Sequence, residues 1–306
     1  MTDNILDSIH INFDSGSLWI MNIVLSLVMF GVSLEISISD FKPLWSKPKA
    51  LIVGLCSQFL VLPALTFLLV FIIEPLPSIA LGMFMVAACP GGNISNFISY
   101  LSKANTALSI SLTAIATMLA VIMTPLNFHF YAMLYEPSSN LIQDISIAPI
   151  EMIKLVFLLL GLPLILGMYV NYKKPKIALK IAKKLKVVSL VFFICLVFIA
   201  LYNNRIIFMD YIFYVFWIVL IHNLVAFSTG YSLGRIFKLP EDSLRSITIE
   251  TGIQNSGLGL LLIFTFFDGL GGMALLAAFW GIWHIVSGLI LAAFWNKKSV
   301  AKETIA

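Results

Sequence analysis

Apolar runs long enough to cross a bilayer recur along almost the whole chain, and that repetition limits the fold more than any single residue does. One span takes about 20 consecutive apolar residues. Such runs are predicted at 17–37, 50–72, 78–102, 104–134, 149–172, 187–203, 211–234, 244–267 and 272–296. Nine spans absorb about 180–220 residues and leave only short loops and tails in a chain of 306. Charged residues make up 11% and hydrophobic ones 60%, whereas soluble domains run to about a quarter charged. The expected fold is an all-α polytopic membrane protein of about nine transmembrane helices. It has a tail at 1–16, a single transmembrane domain over 17–296 and a second tail at 297–306. The fourth span carries Thr124-Pro125, which is predicted to bend or end it.

Lysine and arginine set the expected orientation. Of 19 basic residues, all but Lys154 and Arg205 fall on one side of a nine-span topology. The other side carries Asp3, Asp7, Asp14, Glu74, Glu136, Asp144, Glu151, Asp210 and Asp268. The N-terminus is therefore expected outside and the C-terminus in the cytoplasm of a cell (inner or plasma) membrane. The run KKPKIALKIAKKLK at 173–186 reads first as a positive-inside loop, with a short interfacial helix or lipid-binding patch as the alternative. Residues 1–16 are polar and acidic and lack the basic start and apolar core of a signal peptide. Cys56, Cys89 and Cys195 all lie in apolar segments, so no disulfide framework or zinc site is expected. With the basic residues gathered in loops and near span ends, no nucleic-acid partner is expected, and no obligate protein partner is evident.

Two spans are polar in the middle. The third reads LGMFMVAACPGGNISNFISYLSKAN and the eighth LRSITIETGIQNSGLGLLLIFTF. Broken helices survive at membrane depth only where they face protein or a water-filled cavity. Paired interruptions at corresponding places in two halves mark inverted-repeat secondary transporters. Spans 1–4 and 6–9 form the candidate halves, with the third span of each broken. PGGNISN against ETGIQNS is too faint a likeness to establish a repeat alone.

Glu250 lies inside the eighth span, where a carboxylate costs about 2.5–3.5 kcal/mol on insertion scales. No lysine or arginine sits at its depth, which makes a bound cation a natural partner. Gln58, Ser95, Asn96, Ser109, Thr113, Gln254 and Asn255 are the candidate oxygen donors around it. Ser109 and Thr113, four residues apart, share a helix face. Oxygen donors suit hard cations, and one carboxylate among neutral oxygens favours a monovalent ion such as sodium. Plainer roles stand beside these. Ser109 and Thr113 are also suited to close helix packing. Gln58 is suited to the carbonyl freed by Pro63, and Glu250 to a protonated, merely hydrogen-bonded state. Glu35 is near the end of the first span, within reach of headgroups.

His10, His129, His222 and His284 fit no metal spacing, and His222 and His284 read first as interhelical polar contacts. His284 has the better functional case because Trp280, Trp283 and Ser287 share its helix. Trp19, Trp45 and Trp295 fit interface anchors. The sequence has no zincin, nucleophile-elbow, P-loop or Rossmann pattern, so an enzyme is not expected.

The stretches MFGVSLEISISDF, KPKALIVGLCSQFLVLP, ACPGGNISNFISYLSKANTALSISLTAIAT and ITIETGIQNSGL resemble the bile acid:sodium symporter family. The likeness runs in order from about Met29 to Trp295. It implies two broken, crossing helices in a core (50–134 and 211–296) that moves against a panel (17–37 and 149–203). It implies two sodium ions. The first is surrounded by Ser95, Asn96, Ser109, Thr113 and Glu250. The second is held by Gln58, Glu250 and Gln254 with the carbonyls of Thr251 and Ile253. A small organic anion is implied between core and panel, contacted by Asn93, Asn255 and His284. Ile285 departs from bacterial relatives that have a polar residue there, and Asn93 and the Glu35 segment look like the animal carriers. The expected function is sodium-coupled uptake of an organic anion such as a bile acid or small carboxylate metabolite. Proton coupling and a non-transporting anion sensor are the alternatives.

Overall fold

The computed structural model describes residues 7, 15–41, 48–145, 149–185, 187, 188, 191 and 205–305. The predicted sixth span, 187–203, lies outside the described residues apart from three positions, as do His10, Trp45 and Cys195. The described chain is helical: α1 Ser15–Ser33, α2 Pro48–Ile73, α3 Pro77–Ala88, α4 Ile94–Leu101, α5 Thr106–Leu134 and α6 Glu136–Ile145. Then come α7 Ile150–Lys173, α8 at 175–185, α9 Arg205–Ile236, α10 Glu241–Gly252, α11 Ser256–Phe266 and α12 Gly271–Ile305. Helices α2, α5, α7, α9 and α12 contain stretches long and apolar enough to cross a membrane. The pairs α3–α4 and α10–α11 are the two predicted broken helices.

Local chemistry explains where they break. Cys89 precedes Pro90, which pushes it out of the helical region, and its backbone is extended at φ −70°, ψ 154°. Ile253 is likewise extended after Gly252, and Asn255 then caps α11 by accepting from the Leu258 N–H at 3.1 Å. Helix α3 is buried throughout from Ser78 to Ala88, and α10 from Ser243 to Gly252. A helix as polar as α10 can be that deep only inside protein. It packs on α9, and Gly230 makes the approach possible: a Cβ there would lie 2.7 Å from Thr248 Cα. Helix α3 packs on α12 and α5, while α1 packs chiefly on α7.

Three expectations change. Helix α5 runs unbroken through Pro125, because both flanks of the proline are held from neighbouring helices. Thr124 Oγ1 donates to Ala88 O at 2.7 Å and Asn127 Nδ2 to Phe59 O at 2.8 Å. The second bond also removes the plainer alternative for Gln58. Phe59 O is the carbonyl that Pro63, lacking an N–H, leaves without a donor, and Asn127 rather than Gln58 serves it. Trp295 is only 6% exposed. Its ring packs under the Arg245 guanidinium, 5.5 Å from the centroid, so it is an internal cation–π partner and not an interface anchor.

Candidate functional site

The two breaks meet. Gly91 and Gln254 form an isolated antiparallel bridge. The Gly92 N–H donates to Ile253 O at 2.7 Å, and the Asn255 N–H donates to Pro90 O at 2.8 Å. Two extended stubs, one from each broken helix, thus satisfy each other where neither can satisfy itself.

Every unpaired carbonyl here would cost several kcal/mol in hydrocarbon, and four more are met by side chains. Ala88 O accepts from Thr124 Oγ1, and Cys89 O accepts from Gln58 Nε2 at 2.9 Å. Thr251 O accepts from Gln254 Nε2 at 2.8 Å, and Gly252 O accepts from Asn223 Nδ2 at 2.8 Å. Asn223 is itself held by Ser287 Oγ at 2.6 Å. The donors come from α2, α5, α9 and the second break itself.

Beside the bridge, Ser95, Asn96, Ser109, Thr113 and Glu250 converge. Ser95 Oγ donates to Glu250 Oε2 at 2.6 Å and Thr113 Oγ1 to Glu250 Oε1 at 2.7 Å. Ser109 Oγ lies 2.9 Å from Asn96 Oδ1 and 3.3 Å from Glu250 Oε2. Thr113 Oγ1 is also 3.0 Å from Ser109 O and 3.3 Å from Asn96 Oδ1. A hydroxyl has one proton to donate, so Thr113 cannot serve all three of its acceptors, nor Ser109 both of its own. Oxygens outnumber protons in this cluster. A hard cation, held through oxygen lone pairs, is what such a shortage accommodates. Gly91 makes the arrangement possible, since a Cβ there would overlap Glu250 Oε1.

The second predicted set is knit together differently. Gln58 Nε2 donates to Gln254 Oε1 at 2.7 Å, and Ser57 Oγ and Thr251 Oγ1 share a hydrogen bond at 2.8 Å. Gln58 is 1% exposed and its Oε1 has no hydrogen-bond partner. Thr251 O and Ile253 O each already accept one bond and keep a second lone pair. Both Glu250 oxygens turn toward Ser95, Ser109 and Thr113, so Glu250 joins the first set and not the second through its hydrogen bonds.

Asn93 and Asn255 are half-buried at the N-termini of α4 and α11. These helix starts carry partial positive charge and flank the bridge. His284 is buried on α12, its Nδ1 has no hydrogen-bond partner, and it bonds neither asparagine. His222 is the expected interhelical contact: it shares a hydrogen bond with Thr66 Oγ1 at 2.8 Å and its ring lies 4.7 Å from that of Trp280.

Sequence reasoning missed Ser57, Ser99, Thr124, Asn127 and Asn223. Ser99 Oγ donates to Ser109 Oγ at 3.1 Å, backing the cluster from behind. Their sequence context marked them only as polar residues at membrane depth and gave no sign of the carbonyl or hydroxyl each would meet. Asn223→Ala leaves Gly252 O without its donor, an expected cost of about 1–3 kcal/mol. Thermal unfolding in detergent measures it, and Asn223→Gln, which keeps the amide on a longer stem, is expected to recover part of the loss.

Comparisons with known proteins place the chain in a family. The model of the Sodium Bile acid symporter family matches residues 22–211. YocS of Bacillus subtilis, an uncharacterized sodium-dependent transporter by name, is 33% identical over 295 residues, covering 95% of this chain and 88% of that protein. The human ileal sodium/bile acid cotransporter is 31% identical over 245 residues, 78% of this chain and 67% of its own. The Arabidopsis thaliana chloroplastic protein BASS1, a probable sodium/metabolite cotransporter, is 29% identical over 277 residues, 90% of this chain and 66% of its own. The proteins of this group are sodium-dependent membrane transporters and not enzymes, and this chain belongs to the sodium bile acid symporter family.

Proposed function

We propose that the protein couples inward sodium movement to uptake of an organic anion by alternating access. The observation that carries this is the cluster of oxygens around Glu250, which has fewer hydroxyl protons than acceptors. In this reading one sodium ion sits among Ser95, Asn96, Ser109, Thr113 and Glu250. A second sits by Gln58, Glu250, Thr251, Ile253 and Gln254, where the bare Gln58 Oε1 supports an additional cation. A small turn of the Glu250 carboxylate would let it serve both.

The ions offset the buried carboxylate and tie α4, α5 and α10 together. That bond network fixes the helix starts at Asn93 and Asn255, whose partial positive charge meets the anion. In this reading His284 is the third contact to the anion. The core (50–134 and 211–296) shifts against the panel (17–37 and 149–203), with the N-terminus outside and the C-terminus cytoplasmic. The names of the relatives put bile acids and metabolites among the substrates to try. Two sodium ions with one monoanion carry a net charge, worth about 2.3 kcal/mol per 100 mV.

Uptake into proteoliposomes tests the reading. A sodium gradient is expected to drive accumulation and a potassium gradient is not; equal uptake in both overturns it. A proton-coupled carrier working through Glu250 would instead follow pH and ignore sodium. Ser109→Ala and Thr113→Ala each remove one oxygen, and each is expected to raise the half-saturating sodium concentration about tenfold, or ~1.4 kcal/mol. Unchanged sodium dependence in both variants would remove these residues from the site.

A further inference from the structure

The lysine-rich run after α7 has acquired a geometry that its composition alone did not give. Residues 175–185 form α8, and Ala178 and Ala182 are buried against Leu34 at the end of α1, with Phe30, Val170 and Leu185 closing the contact. Gly31 lies so close that a Cβ there would be 2.9 Å from Leu185 Cβ.

At 3.6 residues per turn, seating Ala178 and Ala182 inward turns Lys176, Lys180, Lys183 and Lys184 to the opposite face, and all four are exposed. Ile177 and Ile181 on one flank and Leu179 on the other are also exposed, at 49%, 38% and 48%. Tyr169 and Tyr172, at the end of α7, are exposed too, with Lys173 Nζ 6.0 Å and 5.6 Å from their ring centroids. Basic heads, apolar flanks and neighbouring tyrosines are the makings of a surface that meets the headgroup layer of a bilayer.

We propose that the outer face of α8 binds anionic phospholipid headgroups, with Lys176, Lys180, Lys183 and Lys184 as the contacts. The argument is one of charge complementarity. No acidic side chain occurs in the sequence from Asn171 to Lys186, so α8 presents four ammonium groups and no carboxylate of its own, and the exposed isoleucines and leucine beside them suit acyl chains rather than a soluble anion. Because α8 is mounted on α1 through its alanines, a lipid held there steadies the α1–α7–α8 group. The inference is independent of sodium coupling.

The test is lipid capture by the full chain. Protein is placed in nanodiscs of phosphatidylcholine with phosphatidylglycerol, and the lipid retained after exchange into detergent is measured. The wild type is expected to retain phosphatidylglycerol selectively and to lose the preference as salt shortens the Debye length. A variant with all four lysines changed to glutamine is expected to lose selectivity by about fivefold per lysine, and the four-arginine variant is expected to keep it. Symmetric bilayers make the result independent of orientation. The proposal is overturned if the wild type shows no salt-sensitive preference, if the glutamine variant retains the lipid equally, or if soluble glycerol phosphate competes as well as the lipid does. The wild-type salt series stands even if a variant fails to fold.

Discussion

Glu250→Gln is expected to reduce sodium-driven uptake to background and to abolish stabilisation of the protein by sodium. The carboxylate takes Ser95 Oγ on one oxygen and Thr113 Oγ1 on the other. An amide in its place removes the charge and turns one acceptor into a donor. Taking one partner from a buried charged network costs about 3–5 kcal/mol, or two orders of magnitude or more in sodium affinity. The measurement is uptake under a sodium gradient together with melting temperature across a sodium titration, since a ligand stabilises only the state it binds. A variant that still melts higher in sodium than in potassium would take Glu250 out of the cation site. Loss of uptake alone would not distinguish sodium from proton coupling, which is why the sodium titration is part of the prediction.

Gly92→Ala is expected to have the second-largest effect, for a purely steric reason. A Cβ at Gly92 would lie 2.8 Å from Gln254 O and 3.2 Å from Gln254 C. Those are backbone atoms of the opposite stub, with no rotamer to yield. The clash falls on the residue whose N–H bonds Ile253 O, so it opens the bridge that holds the breaks together. Overpacking costs about 1–3 kcal/mol, and the lost hydrogen bonds at membrane depth add to it. Both thermal stability and uptake are expected to fall. Gly91→Ala should instead press on the Glu250 carboxylate and damage sodium dependence more than stability. Gly259 provides the control: a Cβ there meets nothing nearer than Cys89 Sγ at 3.6 Å, so Gly259→Ala should leave both unchanged. Equal melting temperatures for Gly92→Ala and Gly259→Ala would refute the account of the bridge.

The positions of these features were unevenly legible in the amino-acid sequence. Glycine and amide residues inside apolar runs marked both breaks, because backbone freed at membrane depth leaves few explanations. The helical spacing of Ser109 and Thr113 placed them on one face, and Glu250 stood out as a carboxylate without a cation. The partners of the freed carbonyls were not legible. Thr124, Asn127 and Asn223 each lie on a different element from the oxygen they serve, and a lone polar residue carries no sign of which helix it faces. The plainer alternative offered for Gln58, a carbonyl freed by Pro63, fails for the same reason, since Asn127 on α5 meets Phe59 O. Pro125 misled for a related reason: its local effect is to end a helix, but its neighbours are gripped from α2 and α3.

The bridge between the breaks also bears on how the chain can be made. Gly92 and Ile253 are separated by more than half of the 306 residues, so when α3 and α4 leave the ribosome their partners do not yet exist. Until α9, α10 and α11 arrive, the Pro90 and Cys89 region lacks Asn255, and Gly92 lacks Ile253 O. The first broken helix must wait in a provisional state, its polar middle kept wet or shielded by other factors, and α10 is too polar to insert stably before α3, α4 and α5 are there to receive it. The crossover is therefore a late, cooperative step of assembly, and a chain cut short before Ile253 would be left with a half-built membrane segment that quality control can recognise.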